Sequence, residues 1–381
     1  MGETTHQIEQ AIPTGRIETE RIIVNMGPHH PSTHGVLRIV LTLDGETVVD
    51  ADPVFGYLHR GFEKLCEEGT YLQNVSLTDR LDYLAAMTNN WAYVTAVEKL
   101  AGIEVPERAE YIRVIVGELQ RVASHCAAIG FFGNDIGTSF TPLMWLFRDR
   151  EMVLDLFEMI SGARMTYNYY RPGGVAADLT PEFIAETRKF LAHMPHSLDE
   201  IEGLLTGNEI VLSRCKKIGV IPLNRAISYG LSGPNLRASG LAFDLRKVLG
   251  YSVYPRMQFD VVTGTVGDTF DRYIVRVREI RESLKIIEQA IEQLPPGEFC
   301  TKLPINFRPP VGEALSRIEG PRGEIGFYIV SDGSIAPYRC HQRAPSFINL
   351  GIISELLKGL KVADAVVALA SLDPVMGEVD R

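Results

Sequence analysis

The chain has 381 residues and a formal net charge of −10. So acidic a surface lacks the basic face that neutralising phosphates requires, which excludes nucleic acid as a partner. With 45% hydrophobic and 23% charged residues, and length enough to bury roughly three quarters of its extended surface, it reads as a folded protein and not a disordered one.

No Ser/Gly-rich linker, low-complexity tract or repeat divides the chain, so one large body with appendages is expected. Its parts are a flexible segment 1–18, a β-rich region 19–70, a helical body 71–300 and an α+β region 301–381. The five cysteines are scattered, with no Cys-x-x-Cys pair, which argues against a four-thiolate metal or iron–sulfur site and against a disulfide framework; a reducing compartment fits. The first 20 residues are charged and lack the apolar stretch of a signal peptide, so a cytoplasmic location is expected.

In chain order, Arg21 to Asn25 and the alternating Val36 to Leu43 predict strands, and Asp44-Gly45 predicts a hairpin into Thr47 to Val49. Between the first two strands runs Gly27-Pro28-His29-His30-Pro31-Ser32-Thr33-His34-Gly35, a loop without a hydrophobic anchor, and therefore solvent-exposed or functional. Leu77, Leu81, Leu84, Thr88, Trp91 and Thr95 recur at helical spacing and predict one helix from about Ser76 to Gly102. Pro106 opens a second helix, closed at Gly130.

The stretch Val122 to Phe147 carries one formal charge, Asp135, but glycines and Pro142 interrupt it, so it reads as two buried helices and a turn, not a membrane span. Further helices are expected at Leu143 to Ile160, at Pro181 to Leu205 with a break at Pro195, and at Asp268 to Leu294, whose Arg276, Arg278, Arg281 and Glu282 suggest an exposed or interfacial face. Near the end, Asp332-Gly333 predicts a hairpin between Glu324 to Ser331 and Ser334 to Tyr338, followed by helices at Ile348 to Leu357 and Val362 to Leu372. The fold class is α+β, mainly helical, with small sheets near both ends.

Three groups of residues stand out chemically. Four of the nine histidines fall between His29 and His59, but Pro28 and Pro31 forbid a regular helix that would align His30 with His34, so imidazoles that hydrogen-bond a ligand are favoured over a metal site. Arg60 and Arg80-Leu81-Asp82-Tyr83 form a second group, for which an ordinary Arg–Asp pair at a helix start is the simpler reading. Asp135 is isolated in the most apolar stretch, where it is either a proton carrier or a capping side chain in the turn Asn134 to Gly137.

Longer motifs narrow the choice. MGPHHPSTHGVLR (Met26 to Arg38), GYLHRGFEK (Gly56 to Lys64), TDRLDYL (Thr78 to Leu84), RPGGVAADL (Arg171 to Leu179), GLSGPNLRASG (Gly230 to Gly240) and SLDPVMGEVDR (Ser371 to Arg381) closely resemble the quinone-site D subunit of NADH-quinone oxidoreductase, respiratory complex I. The resemblance covers nearly everything after about residue 18. That family is related to the large subunits of nickel–iron hydrogenases, whose metal is held by two cysteine pairs. Here the four thiolate positions fall on Asp82, Ala85, Val375 and Glu378 and the final histidine on Arg381, so a nickel–iron centre cannot form.

The resemblance implies a hydrogenase-large-subunit-like fold with the head group of ubiquinone or menaquinone in the space the metal vacated. His34 and Tyr83 are then its two hydrogen-bond donors, Asp135 the partner of His34, and Arg60 a neighbour of the terminal iron–sulfur cluster carried by the adjoining B subunit. It also implies that the chain holds no metal or cluster of its own, and that it works against subunits B, C and H as a peripheral protein on the cytoplasmic side of the cell inner membrane. One departure is that Arg164-Met165 is followed by Thr166-Tyr167, where many family members carry a histidine. The competing readings are an equivalent subunit of a ferredoxin- or F420-linked quinone or phenazine oxidoreductase, and a purely structural assembly subunit.

Overall fold

A computed structural model describes residues 21–33, 35–138 and 140–381; the segment 1–18 and His34 lie outside the described residues. The order begins with a three-stranded antiparallel sheet of β1 (Arg21–Met26), β2 (Arg38–Asp44) and β3 (Thr47–Val54), with β2 central. The expected hairpin is present: Asp44 pairs with Thr47 across a two-residue turn in which Gly45 has φ 62°, a conformation that favours glycine. Next come α1 (Phe62–Glu68), α2 (Val75–Thr78), α3 (Ala86–Ala101), α4 (Glu107–Ile136) and α5 (Thr141–Ser161), the short ribbon β4 (Tyr170–Arg171) and β5 (Gly174–Val175), and α6 (Pro181–Leu205).

Short helices α7 (Glu209–Cys215), α8 (Leu223–Ser228), α9 (Pro234–Ala238) and α10 (Leu245–Val248) lead to α11 (Thr269–Glu292). A second antiparallel sheet follows, β6 (Gly312–Gly320), β7 (Gly323–Ser331) and β8 (Arg339–Arg343), and the chain closes with α12 (Pro345–Leu350), α13 (Ile353–Leu356), α14 (Val362–Ser371) and α15 (Met376–Asp380). The architecture is α+β and mainly helical. None of the helices among the described residues is long and apolar enough to cross a membrane.

Two hydrophobic cores hold these elements. The larger gathers α3 to α6, α11 and the second sheet, where Trp91 stacks on Tyr170 and Tyr254. The smaller joins the buried face of β2 (Ile39, Leu41, Leu43) to Leu369, Leu372 and Met376 near the chain end. Sequence-distant ends thus share one apolar interior, and β3 also bonds to the segment before α14, with Val48 N–H donating to Leu360 O at 2.8 Å.

Several expected boundaries move, each for a packing reason. The helix that begins at Glu107 does not close at Gly130 but runs to Ile136, so Asn134 to Ile136 form its last turn. Gly130 and Gly133 instead let α5 approach: a Cβ at Gly130 would stand 2.9 Å from Leu143 Cδ1, and one at Gly133 would stand 3.3 Å from Pro142 Cβ. α6 passes through Pro195 without a break. The charged face of α11 is largely inside, with Arg272, Arg276, Glu279 and Glu282 buried and Arg278 exposed. The C-terminal hairpin is displaced, because β7 turns tightly from β6 through Pro321-Arg322 and its other partner is β8, after the longer link 332–338.

The largest correction concerns the helix expected from Ser76 to Gly102, which is two helices separated by the irregular turn 79–85. Side chains in this turn replace the helical backbone bonds: Asp82 Oδ1 accepts from Leu84 N–H and Ala85 N–H, both at 3.1 Å, and Asp79 Oδ2 accepts from Asn168 N–H at 2.7 Å. Asp79 is buried, with its other oxygen lacking a hydrogen-bond partner among the described residues. Burial pushes its carboxyl up to about 7, against the opposing pull of the Asn168 N–H, Asn90, Arg171 and Arg80.

The folded chain therefore binds this proton more tightly than the unfolded chain does, and the associated stability is present at pH 4 and lost as pH rises through 7. Asp79→Asn keeps an acceptor for Asn168 and removes the charge. It should flatten the decline in stability between pH 4 and 7, by on the order of 4 kcal/mol at most, and urea denaturation across that range checks it. In the larger core, Arg113 pairs with buried Glu98 at 2.5 and 3.1 Å. Arg113→Met strands that carboxylate and should cost about 3–5 kcal/mol; an unchanged urea midpoint would refute the pairing's role.

Candidate functional site

The short helix α15 organises the site, with Met376, Gly377 and Asp380 each meeting a different part of the chain. Met376 packs under the polar loop, since a Cβ on Gly35, whose φ is 135°, would stand 3.2 Å from Met376 Cγ. Gly377 lies against the turn that carries Tyr83: a Cβ there would meet Leu81 O at 2.5 Å and Tyr83 Cδ1 at 3.2 Å. Asp380 closes the other side, accepting from Gly56 N–H at 2.8 Å and Leu58 N–H at 2.7 Å, with His59 Nδ1 at 2.7 Å from Asp380 O.

The loop that carries the histidines is built from its own polar groups. Pro31–Thr33 forms one 3₁₀ turn, His30 and Gly35 pair as an isolated bridge, and the buried Thr33 hydroxyl donates to His30 O at 2.7 Å. His29 and His30 are exposed or partly so, and Ser32 N–H donates to His30 Nδ1 at 3.2 Å. The 3₁₀ turn packs on α14, and α14 packs on α4, whose last turn holds half-buried Asp135. His34 itself lies outside the described residues, and its neighbours Thr33 and Gly35 mark where the loop meets α14 and α15.

Tyr83 stands on the turn 79–85 and not on a helix as expected. Its hydroxyl makes no hydrogen bond among the described residues, and burial, aided by neighbouring Asp82, raises the phenol above its ordinary range, so it keeps its proton at neutral pH. Arg60 is exposed at the start of α1, where its Nη2 donates to Leu77 O at 3.2 Å and Arg80 stands close enough to repel it. Beside its loop opens a surface hollow of about 610 Å³ lined by His59, Glu63, Lys64, His341, Phe347 and Arg381. Arg60 thus stands between His59 and Gly61, which both line this open hollow.

At the centre sits a residue that sequence reasoning missed. Arg322, at the tip of the β6–β7 hairpin, is buried and donates from Nη1 to Asp82 Oδ2 at 2.6 Å, from Nη2 to Asp373 Oδ1 at 3.2 Å, and from Nε to Asp373 O at 3.0 Å. Burial opposes its charge, but Asp373 and Asp82 outweigh that and hold the guanidinium charged. The Gly233 and Gly323 backbones touch where the hairpin tip lands: a Cβ on Gly233 would stand 2.5 Å from Gly323 Cα.

Asp82 and Glu378, two of the four positions expected at the vacated metal site, thus face a guanidinium. Among the described residues, no three His, Cys, Asp or Glu side chains are grouped to hold a metal ion. Glu378 is wholly buried, and burial, reinforced by Asp82, pushes its carboxyl up to about 8. Asp373 stands at φ 54°, a conformation uncommon for a residue with a side chain, which turns its carboxylate toward Arg322. Asp79 was missed too. The available signal was a carboxylic acid at two of the four former thiolate positions, Asp82 and Glu378.

Comparison with known proteins agrees with the motifs. The family model described as "Respiratory-chain NADH dehydrogenase, 49 Kd subunit" matches residues 135–305 and 298–381. The chain is 56% identical over 365 residues to the NADH-quinone oxidoreductase D subunit of Dehalococcoides mccartyi (strain ATCC BAA-2266 / KCTC 15142 / 195), covering 96% of this chain and 100% of that one. It is 56% identical over 364 residues to the corresponding D subunit of Desulforamulus reducens (96% and 99% covered), and 52% identical over 365 residues to that of Clostridium beijerinckii (96% and 98% covered). The chain belongs to the family of the 49 kDa subunit of respiratory-chain NADH dehydrogenase, the D subunit of NADH-quinone oxidoreductases.

Proposed function

We propose that the chain is the subunit of a proton-pumping NADH-quinone oxidoreductase that forms the quinone head-group site and supplies protons as electrons arrive from an iron–sulfur cluster in a neighbouring subunit. The observation that carries this reading is the seating of two separate segments on successive residues of α15: the end of the His34 loop on Met376, and the Tyr83 turn on Gly377. Family membership at 52–56% identity over nearly the whole chain supports the enzyme, and the position of Tyr83 supports the site.

The chemistry follows from what quinone reduction requires. Two electrons place negative charge on both carbonyl oxygens, and in a site shielded from water that charge needs donors already aimed at it. The Tyr83 hydroxyl, protonated at neutral pH and free of competing hydrogen bonds among the described residues, serves one oxygen. His34 serves the other in this reading, and a change in its charge is felt at Asp135, in the last turn of α4, which starts the response toward the membrane arm. Arg60 faces the electrons arriving from the cluster of the adjoining B subunit.

Subunits B, C and H are the partners, and the chain is peripheral on the cytoplasmic side of the cell inner membrane, on a hydrogenase-large-subunit-like scaffold. The substrate is ubiquinone or menaquinone, and the chain itself holds no metal or cluster. In the assembled complex, Tyr83→Phe should lower NADH-driven quinone reduction about 100-fold while leaving NADH oxidation by ferricyanide, which bypasses the quinone, at its original rate. Unchanged quinone turnover would refute the donor role.

A further inference from the structure

Three buried carboxyls, Asp82, Asp373 and Glu378, converge on Arg322. The one other cation that approaches Asp373 closely among the described residues, Arg276, is also buried and leaves its Nε and Nη2 without partners there. Among the described residues Arg322 is the one guanidinium hydrogen-bonded to any of these three carboxyls, so their negative charge is incompletely paired in a dry interior, and a bound proton relieves it.

The hydrogen bonds say which oxygen takes that proton. Asp82 is fully supplied: Oδ2 receives Arg322, and Oδ1 receives the N–H groups of Leu84 and Ala85. Asp373 receives Arg322 at Oδ1, and its other oxygen, though without a hydrogen bond among the described residues, has the Arg276 guanidinium as a further nearby cation. Arg322 spends its remaining hydrogen bonds on Ser124 Oγ at 3.1 Å and on Asp373 O. Glu378 is served by Ser346 alone, whose N–H lies 3.0 Å from Oε1 and whose side chain also approaches, and its Oε2 has no partner among the described residues. The charged and titratable groups facing it are Asp82 and Tyr83 on the turn, Arg322 on the hairpin tip and Arg343 on β8, the last engaged 4.0 Å from Glu324. The adjoining Gly377 lies against the Tyr83 ring.

We propose that Glu378 holds an exchangeable proton in the resting protein and returns it to the phenolate of Tyr83 after Tyr83 has protonated a quinone oxygen. This rests on the reading of Tyr83 as a donor. The electrons come from NADH through the rest of the enzyme. As a quinone O–H bond forms, the Tyr83 O–H bond breaks; as the Tyr83 O–H bond reforms, the Glu378 O–H bond breaks; and the carboxylate, opposite Arg322, regains its proton from water. Glu378 never touches the quinone and acts only through Tyr83.

Because burial raises the Glu378 carboxyl to about 8, it is protonated below that pH and empties above it. Quinone reduction by the assembled wild-type complex should therefore fall as pH rises past about 8. Glu378→Gln keeps the shape and the acceptor for Ser346 but has no proton to give. It should slow quinone turnover at least about tenfold without changing the quinone KM or ferricyanide reduction, and the residual rate should lack the alkaline decline; Glu378→Asp should restore part of both.

Wild-type turnover in Glu378→Gln, or a reduced rate that keeps the same alkaline decline, would overturn the proposal. If Tyr83→Phe is also silent, the donor reading itself fails; if only Glu378→Gln is silent, the relay alone fails. Should Glu378→Gln not assemble, infrared spectra of wild-type complex labelled with carbon-13 glutamate decide. A protonated glutamate carboxyl band that shifts in D2O and disappears as pH rises past 8 supports the relay, and absence of that band overturns it.

Discussion

The site depends on one buried guanidinium. Arg322 reaches inward from a two-residue hairpin and binds Asp82 on the turn that carries Tyr83 and Asp373 just ahead of α15. A charge this deep is tolerated only where oppositely charged partners and good geometry repay its desolvation, so the three segments are held in register by the cost of leaving any one of them out. The ion cluster ties these segments together, and its carboxyls Asp82, Asp373 and Glu378 are felt electrostatically at the phenol.

This constraint explains why Tyr83 is not on a helix. Leu77, Leu81 and Leu84 have helical spacing, yet Asp82 turns its carboxylate back onto the amides of Leu84 and Ala85 while its other oxygen answers Arg322. A helix through this point would withdraw both contacts, so the tertiary bond overrides the local period. The result is a hydroxyl displayed at the edge of the turn, half-buried, with Gly377 behind it.

Much of the fold was legible from local pattern. Asp44-Gly45 between alternating strands marked the first hairpin, and the long apolar stripes after Pro106 and Asp268 marked α4 and α11. What failed were readings in which a distant partner changes a residue's meaning. Gly130 looked like a helix end because nothing local reveals that Leu143 packs across it, and the arginines of α11 looked exposed because acceptors that receive Arg272 and Arg276, Ser371 and the Gly219 carbonyl, lie far along the chain. The polar site was less legible still. Arg322 lies 240 residues from Asp82, and Asp79 differs from an ordinary capping residue only through the burial it acquires on folding. Asp135 stood out by its isolation in an apolar stretch, and Arg60 and Tyr83 by their grouping, but their roles in a site came from family resemblance, and the seating of the loop and turn on α15 supplies the physical reason for grouping the loop with Tyr83.

The most direct measurement is an electron cryomicroscopy structure of the intact oxidoreductase with its quinone bound. The account predicts a head group lodged between the turn 79–85 and the loop 27–35, with one carbonyl oxygen within hydrogen-bonding distance of the Tyr83 hydroxyl and the other directed to the His34 loop. A quinone seated elsewhere, with the phenol facing only protein or water throughout the catalytic cycle, would contradict it.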